Sequence, residues 1–237
     1  MHRRSVFAAA LVGTLALALP AVSADAQRAR RPAPAAQDWT RVAVRTPEGG
    51  FRMGNPAAPV KVVEYLSLTC PHCAAFAHEG AAGLMNHVRG GRVSIEYRNY
   101  VLNGVDVSAA LLSRCAAPLN YFAMTHTLLG SQATWMGRTR DVTPAQRQQL
   151  AGSPPLQVAQ RLVPLLGLDV VGQRYGITPA LRQRCMTQAA LNQLDQMHAA
   201  AEARGVSGTP TFFINGVMAN GNSWAAIEPM LRAGRAN

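Results

Sequence analysis

The chain is short of acids, lysine, aromatics and cysteine. Of its 237 residues, 12 are Asp or Glu against 23 Lys and Arg, for a formal charge of +11. Lysine occurs once, at Lys61. The other basic residues are arginines scattered along the sequence, with one dense run at Arg28-Ala29-Arg30-Arg31. Such a balance could serve a nucleic acid or an anionic membrane, but no nucleic-acid-binding motif accompanies the charge, so nucleic acid is not expected as a partner. Gly (20) and Pro (15) are far too few for a collagen-like or low-complexity chain. Four cysteines do not make a disulfide-dense miniprotein. An apolar content of 49% excludes a disordered chain and is enough for a sizeable core. No apolar run reaches the roughly 20 residues of a membrane span.

The longest apolar run, Val6 to Leu19, follows Arg3-Arg4 and precedes Pro20 and Ala24-Asp25-Ala26. Charged start, short apolar middle and small-x-small end are the marks of a secretory signal peptide over residues 1–26. Residues 27–38, rich in Ala, Pro and Arg, read as a flexible leader. Ordered structure is expected from about Trp39, with turns at Gly49-Gly50 and Gly54-Asn55-Pro56. Export carries the chain to a compartment where cysteines can oxidise.

The strongest local signal is Val60 to Leu66, short, β-branched and apolar, as a buried strand should be. It leads through Ser67-Leu68-Thr69 into Cys70-Pro71-His72-Cys73. Phe76, Gly80, Leu84 and Val88 then recur every four residues, a helical stripe. The Cys-x-x-Cys therefore opens a helix directly after a strand, with Pro71 where a missing N–H costs nothing. A thiol at that position faces free backbone N–H groups and the positive end of the helix dipole, both of which favour thiolate. His72, if it donates, adds to this. Cys70 is thus expected to be exposed and acidic, and Cys73, one turn on, to be covered. A zinc site would need two further ligands; His78 and His126 are at hand but in no ligand spacing, so no metal is expected. Val93 to Tyr97 alternates as a second strand. Helical patterns follow over residues 107–117, 121–129, 143–150, 156–166, 180–188, 187–204 and 223–233. Asn215-Gly216 between apolar runs signals a hairpin. His78, His87 and His198 lie on helical patterns and carry no expected role.

Strand, Cys70-Pro71-His72-Cys73, then helix resembles the active site of thioredoxin-fold oxidoreductases, and the tetrad itself resembles the DsbA branch of periplasmic disulfide oxidases. Gly205 to Gly216, with Thr209-Pro210, is similar to the cis-proline segment that faces the active-site disulfide in that fold. The resemblance implies an α/β thioredoxin-like fold, a central mixed sheet flanked by helices, with an inserted all-helical domain. Residues 39–104 and 199–237 would form the thioredoxin-like part and residues 105–198 the insert. It implies a periplasmic enzyme that passes a disulfide from Cys70–Cys73 to reduced or misoxidised exported proteins, needs no cofactor, and is reoxidised by a quinone-linked DsbB-like membrane protein. Thr209 and Pro210 would contact substrate. Glu64, six residues before Cys70, would be the buried acid that takes the proton of Cys73. Some proteins resembling this branch carry a second bridge, which would join Cys115 to Cys185; two buried free thiols are the alternative. The best-known DsbA-type oxidases have Val where this chain has Thr209, and Thr there suits a reductase or isomerase. A redox-inactive chaperone on the same fold is the reading from another class.

Overall fold

A computed structural model describes residues 37–236; the segments expected to be a signal peptide (1–26) and most of a leader lie outside the described residues. The sheet starts with two short strands that have no strong sequence signal, β1 (Ala43–Arg45) and β2 (Phe51–Gly54). They form because β2 pairs antiparallel with β4 (Val93–Asn99) and places Phe51 and Met53 in the core. Neither strand alternates over enough residues to be recognised alone. β3 (Val60–Leu66) runs parallel to β4 on one side and antiparallel to β5 (Thr211–Ile214) on the other. The full order is β1-β2-β4-β3-β5-β6, with β6 being Val217–Met218. The β5–β6 turn is Asn215-Gly216, both at positive φ (48° and 85°), the geometry for which Asn-Gly is the favoured pair.

β3 is thus an interior strand, and its alternating side chains divide between two cores. Val60, Val62 and Leu66 join Ile95, Leu84, Val88, Ile227 and Leu231 in the larger one. Helix α1 (Pro71–Arg89) supplies Phe76, Leu84 and Val88 to it, the stripe seen in the sequence. On the opposite face Val63 and Tyr65 pack with Tyr100, Ala201, Val206 and Phe213.

Between β4 and β5 the chain is helical: α2 (Gly104–Ser113), α3 (Pro118–Gly130), α4 (Gln132–Gly137), α5 (Pro144–Ala151), α6 (Pro155–Leu165), α7 (Leu168–Arg174), α8 (Pro179–Cys185) and α9 (Gln188–Glu202). α2 begins three residues earlier than the pattern suggested, because Asn103 caps it by accepting from the Asp106 N–H. It ends at Ser113 rather than running on to Ala117, since a residue before proline is driven out of the helical region and Pro118 opens α3. α4 and α7 were not expected from sequence; at six and seven residues they are too short for a periodic stripe. α9 buries Leu191, Leu194, Met197 and Ala201, and α10 (Trp224–Ala233) is capped by Ser223. No described helix is long and apolar enough to cross a membrane.

Candidate active site

The site lies where β3 ends. Ser67-Leu68-Thr69 carries the chain to Cys70, the N-cap of α1, in an extended conformation (φ −80°, ψ 122°), and Pro71 starts the helix. Pro71 and His72 are exposed, and Cys73 is fully buried one turn on. Opposite them the chain enters β5 through Thr209-Pro210, whose peptide bond is cis. The Cys70 thiol donates to the Thr209 carbonyl at 3.1 Å. The tetrad and the Thr-Pro segment, 139 residues apart in sequence, are therefore in contact.

One expectation needs correction. Cys70 is 5% exposed rather than open to solvent, because the Thr209–Pro210 segment folds over it. Its sulfur sits just below the surface between exposed Pro71 and His72 and half-buried Thr209, less deeply than that of Cys73.

The two thiols are pushed in opposite directions. The Cys70 thiol is drawn down to about 5, first by a hydrogen bond from the Cys73 thiol, then by the Thr209 side chain and the backbone N–H groups of Cys73 and His72; burial opposes this and is outweighed. A carbonyl can only accept, so it holds the thiol form and offers nothing to the thiolate. The donor available to the thiolate from the same residue is the Thr209 hydroxyl, which is buried and has no other partner among the described residues. Cys73 moves the other way: burial disfavours its thiolate, the hydrogen bond it gives Cys70 holds its proton, and the charge of Glu64 adds to both.

Glu64 lies beneath the pair, 2% exposed, with one carboxylate oxygen unpartnered among the described residues. Burial raises it to about 8 from an ordinary 4.5. An interior strand explains the burial: Glu64 is flanked by Tyr97 on β4 and Phe212 on β5. Tyr97 in turn shares a 2.9 Å hydrogen bond with His126, whose ring burial keeps neutral. Sequence reasoning assigned no role to Tyr97 and considered His126 as a metal ligand, a role its spacing does not suit. The contact between them joins a strand to a helix, and no local pattern announces it.

Cys115 and Cys185 are joined by a disulfide with 5.7 Å between the Cα atoms. It ties the turn after α2 to the end of α8. Among the described residues no group of three or more His, Cys, Asp or Glu is arranged to hold a metal ion.

Comparison with known proteins agrees with this geometry. A family model described as thioredoxin matches residues 46–232. A crystal structure of a protein-disulfide isomerase from Novosphingobium aromaticivorans is 31% identical, covering 77% of this chain and 95% of that one, with a TM-score of 0.70. Alpha-DsbA1 of Wolbachia pipientis shares the fold, at 19% identity over 77% of this chain and 88% of that one, with a TM-score of 0.61. A relative from Rickettsia bellii, named as a protein-disulfide oxidoreductase, is 25% identical over 79% of this chain and 65% of its own; for one from Rickettsia typhi the figures are 26%, 75% and 59%. The chain thus spans about three fifths of the length of these curated relatives. Since the family match runs from the first strands to the last helix and takes in both the tetrad and the cis-proline segment, the chain belongs to the thioredoxin family and has the fold of its DsbA-like members.

Proposed function

We propose that this protein is a thiol:disulfide oxidoreductase of the cell envelope that introduces disulfides into exported proteins through Cys70 and Cys73. The observation that carries the reading is the opposed acidity of the two thiols, with Cys70 drawn down to about 5 and Cys73 pushed up. A substrate thiolate attacks the Cys70 sulfur of the oxidised pair, forming a mixed disulfide and expelling Cys73 as thiolate. Glu64, protonated at neutral pH, is the buried acid placed to give that thiolate its proton. A second substrate thiolate then attacks the substrate sulfur of the mixed disulfide. Cys70 leaves as the thiolate the site favours, and two electrons have passed from substrate to enzyme. A site that stabilises its own reduced form oxidises strongly. Thr209 and Pro210 border the sulfur and would receive the substrate backbone as an added strand, a mode tolerant of many sequences. Reoxidation falls to a quinone-linked DsbB-like membrane protein by family resemblance, and the signal peptide supports a periplasmic location.

A second reading, isomerase or reductase, is favoured by Thr209 and by the name of the Novosphingobium relative. The reduction potential of Cys70–Cys73 equilibrated with glutathione separates the two. A value near about −120 mV supports the oxidase and one near about −270 mV the reductase. In parallel, reduced ribonuclease should regain its disulfides with the wild-type protein and not with Cys70→Ser. Failure of the wild type in both ribonuclease oxidation and insulin reduction would leave a redox-inactive binding protein.

A further inference from the structure

The loop that delivers Cys70 is held from outside the sheet. The Leu68 N–H donates to Asp106 Oδ1 at 3.0 Å, and the Leu68 carbonyl accepts from Gln132 Nε2 at 2.9 Å. Asp106 belongs to the first turn of α2 and Gln132 opens α4, so the two polar groups of one residue are gripped by two helices of the helical segment. The same Gln132 amide donates to the Cys70 carbonyl at 3.0 Å. The second Asp106 oxygen takes the Leu102 N–H at 3.0 Å, and Asn103, the cap of α2, donates to Thr69 Oγ1 at 3.1 Å. Thr69 Oγ1 lies 3.1 Å from Ser67 Oγ, and that serine oxygen accepts from the Thr69 N–H. The grip is buried at its centre: Leu68 and Asp106 are fully buried and Ser67 is 1% exposed.

A carboxylate is buried at such a place only when hydrogen bonds replace its water. Asp106 has two backbone donors, both from irregular chain. Neither the sheet nor α1 requires an acid or an amide there. What both side chains share is the peptide path into Cys70. The thiolate is favoured by backbone N–H groups of Cys73 and His72, so its stability depends on where the N-cap residue sits over the first turn. An N-cap whose carbonyl is fixed by Gln132 and whose approach is fixed at Leu68 holds the sulfur in that position.

We propose that Asp106 and Gln132 are positioning residues that clamp the Leu68 peptide groups and thereby set the reactivity of Cys70 from the helical segment. The inference rests on the oxidoreductase reading of the tetrad. The hydrogen bonds of the clamp all go to backbone groups, and neither side chain is hydrogen-bonded to the sulfur, although the Asp106 carboxylate and the Cys70 thiolate repel through space. Gln132 supplies the only side-chain donor to the Cys70 carbonyl among the described residues, shared with the Ala74 N–H at 3.2 Å.

The test uses the full reduced chain and follows thiolate absorbance near 240 nm against pH, together with the equilibrium with glutathione. Gln132→Ala removes the carbonyl half of the clamp from a half-buried position and is expected to fold. Its Cys70 midpoint should rise by about half a pH unit or more, a threefold or greater loss of thiolate at fixed acidic pH, and its potential should become more reducing. Asp106→Asn keeps one acceptor for Leu68 but loses the second. The double variant should shift the midpoint by less than the sum of the single changes, because both act on one loop. A wild-type midpoint and potential in Gln132→Ala, whatever its melting temperature, would overturn the clamp, as would strict additivity with Asp106→Asn. Those failures are distinct from failure of the functional reading, which would show as a wild-type Cys70 that titrates like an ordinary thiol.

Discussion

Removal of the charge-bearing oxygen of Glu64 should take a large pH dependence out of the protein's stability. In the folded protein burial raises Glu64 to about 8 from an ordinary 4.5, and one of its oxygens has no partner among the described residues. The native state therefore keeps a proton that the unfolded chain releases, between about pH 4.5 and 8. The sign follows from linkage: where the native state binds more protons, stability falls as pH rises. The stabilising contribution is complete below pH 4.5, is lost at about 1.4 kcal/mol per pH unit across the window, and is gone above pH 8. Over some 3.5 pH units the loss comes to about 5 kcal/mol, comparable to the whole stability of many domains. Glu64→Gln has the same shape and no titration. The assay is urea unfolding of the reduced protein, wild type and variant, at pH 5, 7 and 8.5. The two free energies should stand closest at pH 5 and diverge by about 3 kcal/mol or more by pH 8.5, with the variant the more stable there. Parallel curves would refute the burial argument, because they would mean that Glu64 has the same proton affinity folded and unfolded. The variant should also form the mixed disulfide more slowly, since its amide has no acidic proton to give the departing Cys73 thiolate.

The remaining predictions concern the scaffold. Replacing both Cys115 and Cys185 by Ala opens a loop of 70 residues and should cost about 4 kcal/mol in the chain-entropy description, seen as a lower melting temperature; the Cys70–Cys73 potential should not move, because neither bridged cysteine is among the groups that shift the two thiols. An unchanged melting temperature under oxidising conditions would mean the bridge does not restrain the unfolded chain. Gly80→Ala should destabilise although alanine is the better helix former by about 1 kcal/mol. A Cβ there would lie 2.7 Å from the Trp224 ring, and overpacking of this kind costs about 1–3 kcal/mol. A melting temperature higher than wild type would show that Trp224 can shift at no cost.

The cysteine motif, its strand and its helix were legible because each is local. Val60–Leu66 is a run of adjacent residues, α1 repeats every four, and a proline at the first helical position marks the helix start. The stripe of α9 and the Asn215-Gly216 turn were readable for the same reason. The short strands β1 and β2 were not, since what makes them strands is their partner β4. The acidity of Cys70 was inferred from the helix end alone, with a possible part for His72, whereas the largest influence on it in the structure is the hydrogen bond from Cys73.

The sequence by itself determined which atoms can react, since a Cys-x-x-Cys at a helix start places two sulfurs one turn apart wherever the helix is put. Only the tertiary structure decided how the two differ. Thr209 and Pro210, the buried carboxyl of Glu64, and the grip of Asp106 and Gln132 arrive from distant parts of the chain. Hydrogen bonding and desolvation act over a few ångströms of space, whatever the distance along the chain, so the poise of the pair is a property of its packing.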